Sequence, residues 1–301
     1  MDATGNFRGA LYMAIAMAAF TCNDALVKSL ASELNTGQIM FVRGLVTTLL
    51  VAAIAWRTRA IGSLGVMLQP AVALRMAAEI GASVTYISAL GAMPIANTSA
   101  ILQALPLAVT LGAALFLSEP VGWRRWLAIL AGFVGVMIVI RPGPEGFSTA
   151  AGYVVASVVC AAIRDLCTRR IDLAVPALTI TATTAASITV VGGLLIVPMG
   201  GWQPMGGSLI VQIVLASSLL LVGYQCIVLA MRTGEISFVA PFRYTGLIWA
   251  IAIGIFVFGD IPDAWMCLGI AIIVGSGLYA FYRESNRKGP AYAKESVAET
   301  P

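Results

Sequence analysis

Apolar residues in this chain come in continuous runs of about 20, separated by short clusters of Gly, Pro and charged residues. A run of that length spans the hydrocarbon core of a bilayer as an α-helix, and a porin-like barrel would instead show alternating segments of about ten residues. The pattern predicts helices at 9–30, 36–56, 69–90, 97–117, 123–140, 150–171, 177–198, 209–231, 236–258 and 263–282. Breakers mark the gaps, among them Gly62, Gly65, Pro94, Pro120, the RPGPEG turn at 141–146, Pro176, the GGWQPMGG stretch at 200–207, Gly234 and Pro262. Short loops predict that consecutive helices are antiparallel neighbours. The tail after Tyr282 is polar and is expected to be disordered. The first apolar run is too long for the apolar region of a cleavable signal peptide.

Composition agrees with the pattern. The 301 residues are 59% hydrophobic and 11% charged, against about 25% charged in a soluble domain. Mean hydropathy is +0.93. The expected fold class is an all-α integral membrane protein of ten transmembrane helices. Basic residues set its orientation. Arg8, Arg57, Arg59, Arg124, Arg125, Arg169, Arg170, Arg232, Arg283, Arg287, Lys288 and Lys294 fall on one side, while Lys28 and Arg141 fall on the other. That bias predicts both termini in the cytoplasm.

The two halves resemble each other. ALFLSEPVGWRRWLAILAGFVGVMIVI, around Glu119, parallels GIFVFGDIPDAWMCLGIAIIVGSGLYAF, around Asp260, and YISALGAM from Tyr86 parallels YQCIVLAM from Tyr224. Five helices is an odd number, so two such copies face opposite ways in the membrane, an arrangement typical of secondary transporters. The predicted division is a first five-helix repeat at 1–143, a second at 144–282 and a cytoplasmic tail at 283–301.

Charge inside the spans marks the candidate chemistry, because an ionisable residue in a membrane segment is costly and functional by default. Asn23 and Asp24 on the first helix are substrate-site candidates, and Asp165 on the sixth is their counterpart at the opposite mouth. Lys28 and Arg169, four residues after these aspartates, read as interface residues that snorkel. Arg43 lacks an acidic partner at helical spacing, and Asp24 on the preceding helix is the candidate. Arg75 and Glu79 are i,i+4 on the third helix. Two readings stay open: a self-satisfied pair at a helix contact, or Glu79 as a carboxylate that exchanges a proton during transport. Arg243 follows Pro241, where the helix is expected to kink, and Tyr244 is adjacent. Tyr86, Gln103, Tyr224 and Gln225 complete the candidates, since a planar ligand would be held by aromatic faces and fixed by a few polar groups.

Several function classes are excluded or disfavoured. There is no His, which removes His relays, His-based zinc sites and Ser-His-Asp triads. The five Cys residues lie in apolar runs without a CxxC pair and read as small buried hydrophobes. Asn97-Thr98-Ser99 fits a glycosylation sequon but reads better as a helix cap. No phosphate-binding loop is present, so ATP is not the expected energy source. An intramembrane enzyme would need a nucleophile–base or metal constellation that these residue types do not supply. A membrane scaffold would not require charges repeated in both halves.

Ten predicted helices in two halves resemble the drug/metabolite transporter superfamily, EamA type. The resemblance is carried by FLSEPVGWRRWLAILAGFVGV, FGDIPDAWMCLGIAIIVGSG, ANTSAILQALPLAVTL and GEISFVAPFRYTGLIWAIAIG. The stretch MAIAMAAFTCNDALVK with Arg43-Gly44 is similar to the riboflavin-uptake branch of that family. The resemblance implies alternating access, a central cavity lined mainly by helices 1, 3, 4, 6, 8 and 9, and the bacterial inner membrane. It implies a small-molecule substrate, with riboflavin uptake as the leading expectation and amino-acid or metabolite export as the alternative. Membrane lipids and coupling protons are the other expected partners. No cofactor, metal or nucleic acid is expected, and both a monomer and a homodimer remain open.

Overall fold

In the computed structural model, residues 3–58, 69–117, 122–141, 148–168, 170–171, 175, 177–233 and 236–298 are described. No strand occurs among them. The helices are α1 (Ala3–Leu30), α2 (Thr36–Thr58), α3 (Pro70–Ala92), α4 (Ile95–Leu102), α5 (Leu105–Phe116), α6 (Trp123–Ile140), α7 (Thr149–Thr168), α8 (Ala177–Ile196), α9 (Gly207–Thr233), α10 (Ile236–Val239), α11 (Thr245–Ile253) and α12 (Ala264–Ala298). A 3-10 turn at Ala240–Tyr244 joins α10 to α11, and a π turn at Gly254–Phe258 follows α11. The turns around Glu119, Arg169, Gly234 and 142–147, and with the last the expected repeat boundary at 143/144, lie outside the described residues.

Eight helical segments are long and apolar enough to cross a membrane. The sequence pattern predicts ten. The difference is α3 and α6: α3 carries Arg75 and Glu79, and the apolar part of α6 is only Trp126–Ile140. α3 packs on α7 and α6 on α12.

Two of the spans are interrupted. Gln103 and Ala104 separate α4 from α5, with their N–H groups donating to Ala100 and Ile101 carbonyls in 3-10 fashion. Pro106 at the start of α5 has no N–H to extend the ladder. Pro241 does the same in the later span, as the kink expected there requires. At the other extreme, α12 runs to Ala298, whereas the sequence reading ends the last helix at 282. Arg, Glu, Lys and Ala beyond Tyr282 are good helix formers and extend the apolar helix into its polar continuation.

Packing departs from the hairpin expectation. The main partners are α1 with α9, α2 with α8, α3 with α7, and α6 with α12, while α4 meets α11. In lipid no hydrophobic force favours chain neighbours, so small residues that allow close approach select the pairs. A Cβ at Gly192 of α8 would lie 2.6 Å from the Phe41 backbone N of α2, so α2 and α8 meet backbone to backbone. The start of α2 is tied to the α8–α9 connection. Gln38, fully buried, donates to the Gln203 carbonyl at 2.8 Å and accepts from the Gln203 N–H at 2.8 Å. Asn35 donates to the Gly201 carbonyl at 2.7 Å, where positive φ at Gly200 and Gly201 turns the chain.

Candidate functional site: a polar cavity between the helices

A cavity of about 530 Å³ opens where α1, α3, α7, α9 and the two span interruptions converge. That is the size range of small-molecule sites. Of the sequence candidates, Asn23, Asp24, Arg43, Glu79, Tyr86, Gln103, Tyr224, Arg243 and Tyr244 line it. Asp165 and Gln225 do not. Gln225 is exposed one position past Tyr224 on α9, which turns it off the cavity face. Phe20, Ser83, Ser157, Arg164 and Phe281 also line the cavity and were not among the candidate site residues. Arg164 carried a signal, a charge within a span; the others are ordinary residues in apolar helices and carried none. A second depression of about 480 Å³, between α6 and α12, is walled mainly by apolar residues such as Trp123, Leu127 and Ile272, with Arg124, Ser276 and Tyr279 as its polar members.

Two charge clusters stand in or beside this cavity. In the first, the Tyr86 hydroxyl donates to Asp24 Oδ2 at 2.7 Å, and the buried Asn23 amide donates to Asp24 Oδ1 at 2.9 Å. Both oxygens of this carboxylate therefore have partners from the protein itself. Arg43 lies within electrostatic reach of Asp24 but makes no ion pair with it among the described residues, and its buried Nε has no partner. Asn23 Oδ1 is likewise buried without one. Hence Asp24 is held by Tyr86 across the α1–α3 contact and not by Lys28 on its own helix. Lys28 instead donates to the Met93 and Leu90 carbonyls at 2.6 and 3.4 Å and lies 5.2 Å from the Phe258 ring centroid. It closes one end of α3, as a helix-end residue should.

In the second cluster, Arg164 of α7 bridges two carboxylates. Its Nη1 reaches Glu79 Oε2 at 3.1 Å, and its Nε reaches Asp165 Oδ1 at 2.8 Å. Helical spacing pairs Glu79 with Arg75; the α3–α7 packing pairs it with Arg164. Arg75 turns to hydroxyls, with Nε 3.0 Å from Thr168 Oγ1 and Nη1 2.8 Å from Thr184 Oγ1. A guanidinium with several donors in a plane can serve carboxylates or hydroxyls, so the nearer helix decides.

Aromatic residues form the remaining wall. Phe20 and Tyr224 meet edge to face, with centroids 5.3 Å apart. Tyr224 is 51% exposed on a helix packed against α1, and that exposed surface faces the cavity. The two interruptions touch through the Gln103 side-chain amide, which donates to the Arg243 carbonyl at 3.4 Å. Thr21, buried on α1, donates to the Met17 carbonyl at 2.8 Å and is 3.4 Å from the Gly246 carbonyl, bringing α1 against the same break. Such an arrangement can enclose a planar polar molecule and offer it both acceptors and donors. Among the described residues no group of His, Cys, Asp and Glu is placed to hold a metal ion.

Residues 7–141 match the EamA-like transporter family. The chain is 31% identical over 203 residues to a riboflavin transporter of Rhizobium johnstonii, covering 67% of each chain. It belongs to the EamA-like transporter family. A riboflavin transporter of Vibrio cholerae is 32% identical over 183 residues, 60% of this chain and 61% of that one. An S-adenosylmethionine uptake transporter of Rickettsia felis is 25% identical over 191 residues, 64% of each. These matches thus span about two thirds of their relatives' length. A crystal structure at 17% identity superimposes with a TM-score of 0.62 over 93% of this chain and 98% of its own, and so shares the fold. As an EamA-family member with eight apolar membrane-length segments, the protein is a multi-pass transporter of a small metabolite in the bacterial inner membrane, and not an enzyme.

Proposed function

We propose that this EamA-family protein takes up riboflavin by alternating access. The observation that carries the reading is an aromatic-walled polar cavity of about 530 Å³ in a chain 31% identical to a riboflavin transporter. The isoalloxazine ring is planar and apolar on its faces, with acceptors and a donor on its edge. Phe20, Tyr86 and Tyr224 offer ring surfaces to it, while Asn23, Arg43, Gln103 and Arg243 offer donors. Asp24 and Glu79 are acceptors for the ribityl hydroxyls. Asp165 acts indirectly, by fixing Arg164.

Two inverted five-helix repeats, with both termini cytoplasmic, would supply the rocking halves. The helix partners support this. Exchanging the halves turns the α1–α9 contact into the α7–α3 contact and returns α2–α8 and α6–α12 to themselves. The interruption at 103–104 likewise has its counterpart at 240–244.

Complementation tests the reading. A riboflavin auxotroph expressing this chain should grow at low external riboflavin, where the empty vector does not support growth. No rescue despite membrane expression would end the uptake reading and move the assignment to export. Uptake of S-adenosylmethionine is the second reading, favoured by Asp24 and Glu79, whose carboxylates could hold a sulfonium cation. Unlabelled S-adenosylmethionine that abolishes labelled riboflavin entry would point to it.

A further inference from the structure

Four arginines lie in or beside the cavity, and they are not equivalent. Arg164 is held by Glu79 and Asp165, and Arg75 by two threonine hydroxyls. Arg43 also makes no ion pair among the described residues and its buried Nε has no partner, but it is enclosed and Asp24 lies within its electrostatic reach. Arg243 is different. It lies in the 3-10 turn that interrupts its span, its side chain is exposed, and it lines the cavity. Among the described residues its guanidinium has no hydrogen-bond or ion-pair partner within 4 Å. Asp165, the carboxylate within electrostatic reach, is already bonded to Arg164. What Arg243 does offer the protein is its backbone: the Gln103 amide, 140 residues away, holds its carbonyl. The backbone is pinned where the two interruptions meet, and the guanidinium is left free toward the cavity.

An unpaired guanidinium in a membrane-embedded cavity is expensive unless a ligand completes it. Its planar fork of N–H donors fits two adjacent acceptors rather than one. We propose that Arg243 is the specificity-determining residue of the cavity and receives a two-acceptor edge of the substrate. This rests on the transport reading above. For riboflavin the edge is the ring C4=O together with N5, adjacent acceptors spaced like O6 and N7 of guanine, the pair to which Arg binds bidentately. For S-adenosylmethionine the edge is the carboxylate. Tyr86 and Tyr224 then bracket the body of the ligand, and Gln103 keeps the fork aimed.

Binding to the purified full-length transporter, read by quenching of flavin fluorescence, tests this. R243Q should weaken riboflavin binding roughly 10- to 100-fold, the range for a lost charge-assisted pair. R243K should remain weak, because a point charge does not fork. On the wild type, 5-deazariboflavin, which carries C–H in place of N5, should bind more weakly than riboflavin, and R243Q should narrow that difference. Riboflavin binding at wild-type affinity by R243Q or R243K overturns the proposal. So does a wild type that does not distinguish the two flavins, a comparison that needs no variant to fold. If the wild type binds no riboflavin, the substrate assignment fails separately. S-adenosylmethionine is then the probe: loss of its binding in R243Q sustains the role of Arg243, and equal binding ends it.

Discussion

Asp24 shows how little of a residue's role is contained in its helix. Lys28 is its neighbour by spacing, yet Tyr86 and Asn23 are its partners at 2.7 and 2.9 Å. A carboxylate that accepts two hydrogen bonds is oriented, and opening the α1–α3 contact has to break the Tyr86 bond. Asp24→Asn keeps the shape and removes the charged acceptor, a change worth about 1.5–3 kcal/mol for such bonds. Initial uptake in proteoliposomes should fall about 10-fold or more, with an unchanged gel-filtration profile. Wild-type uptake by D24N would remove Asp24 from the pathway. Glu79 carries the same lesson. An i,i+4 rule assigns it to Arg75, but in the fold Arg164 comes from a helix whose contact with α3 no local pattern announces.

At the scale of the element, the spans hold together through their ends as well as their faces. Asp263 precedes α12 and accepts from the Met266 N–H at 2.9 Å, the geometry of an N-cap. The Arg141 side chain, from the end of α6, donates to the same carboxylate. Arg141 itself stands in left-handed backbone, φ 47°, as a residue closing a helix often does. The Arg141 guanidinium, and after it the Met266 N–H, hold the Asp263 carboxyl below the usual carboxylate range. A depressed carboxyl contributes stability above its unfolded value, near 4, and loses it as the pH falls through the lower folded value. The thermal unfolding midpoint of the wild type should therefore exceed that of Asp263→Asn at pH 7, and the gap should close at about pH 3 or below. The pair is exposed and water-screened, so the gap is small. An equal midpoint at pH 7 would show that the α6–α12 contact stands on its apolar faces alone.

For the whole molecule, the proposed orientation and the proposed inverted repeat make one prediction together. If both termini are cytoplasmic, green fluorescent protein fused after Pro301 should fluoresce, and alkaline phosphatase at the same place should be inactive. Alkaline phosphatase inserted in the connection at 142–147, between the halves, should be active. The opposite pattern would overturn the orientation, and matching signals at both positions would overturn the inverted repeat. Both rest on the clustering of Arg57, Arg59, Arg124, Arg125 and Arg170 on one side of the predicted spans.

Membrane-length apolar runs and the breakers between them determine on their own that this is a multi-pass helical membrane protein, and the charges set inside the runs mark candidate residues for its function. They also place the kink at Pro241 and most of the charged residues of the cavity, because a charge in lipid needs a pathway or a partner and so marks its helix face. Partners and neighbours came only with the tertiary structure. In a bilayer, helix adjacency depends on how small residues such as Gly192 let backbones approach, and this information is spread over residues far apart in the chain. For that reason α1 packs on α9, Glu79 belongs to Arg164, and Gln103 meets Arg243. Periodicity within one helix carries no trace of any of the three.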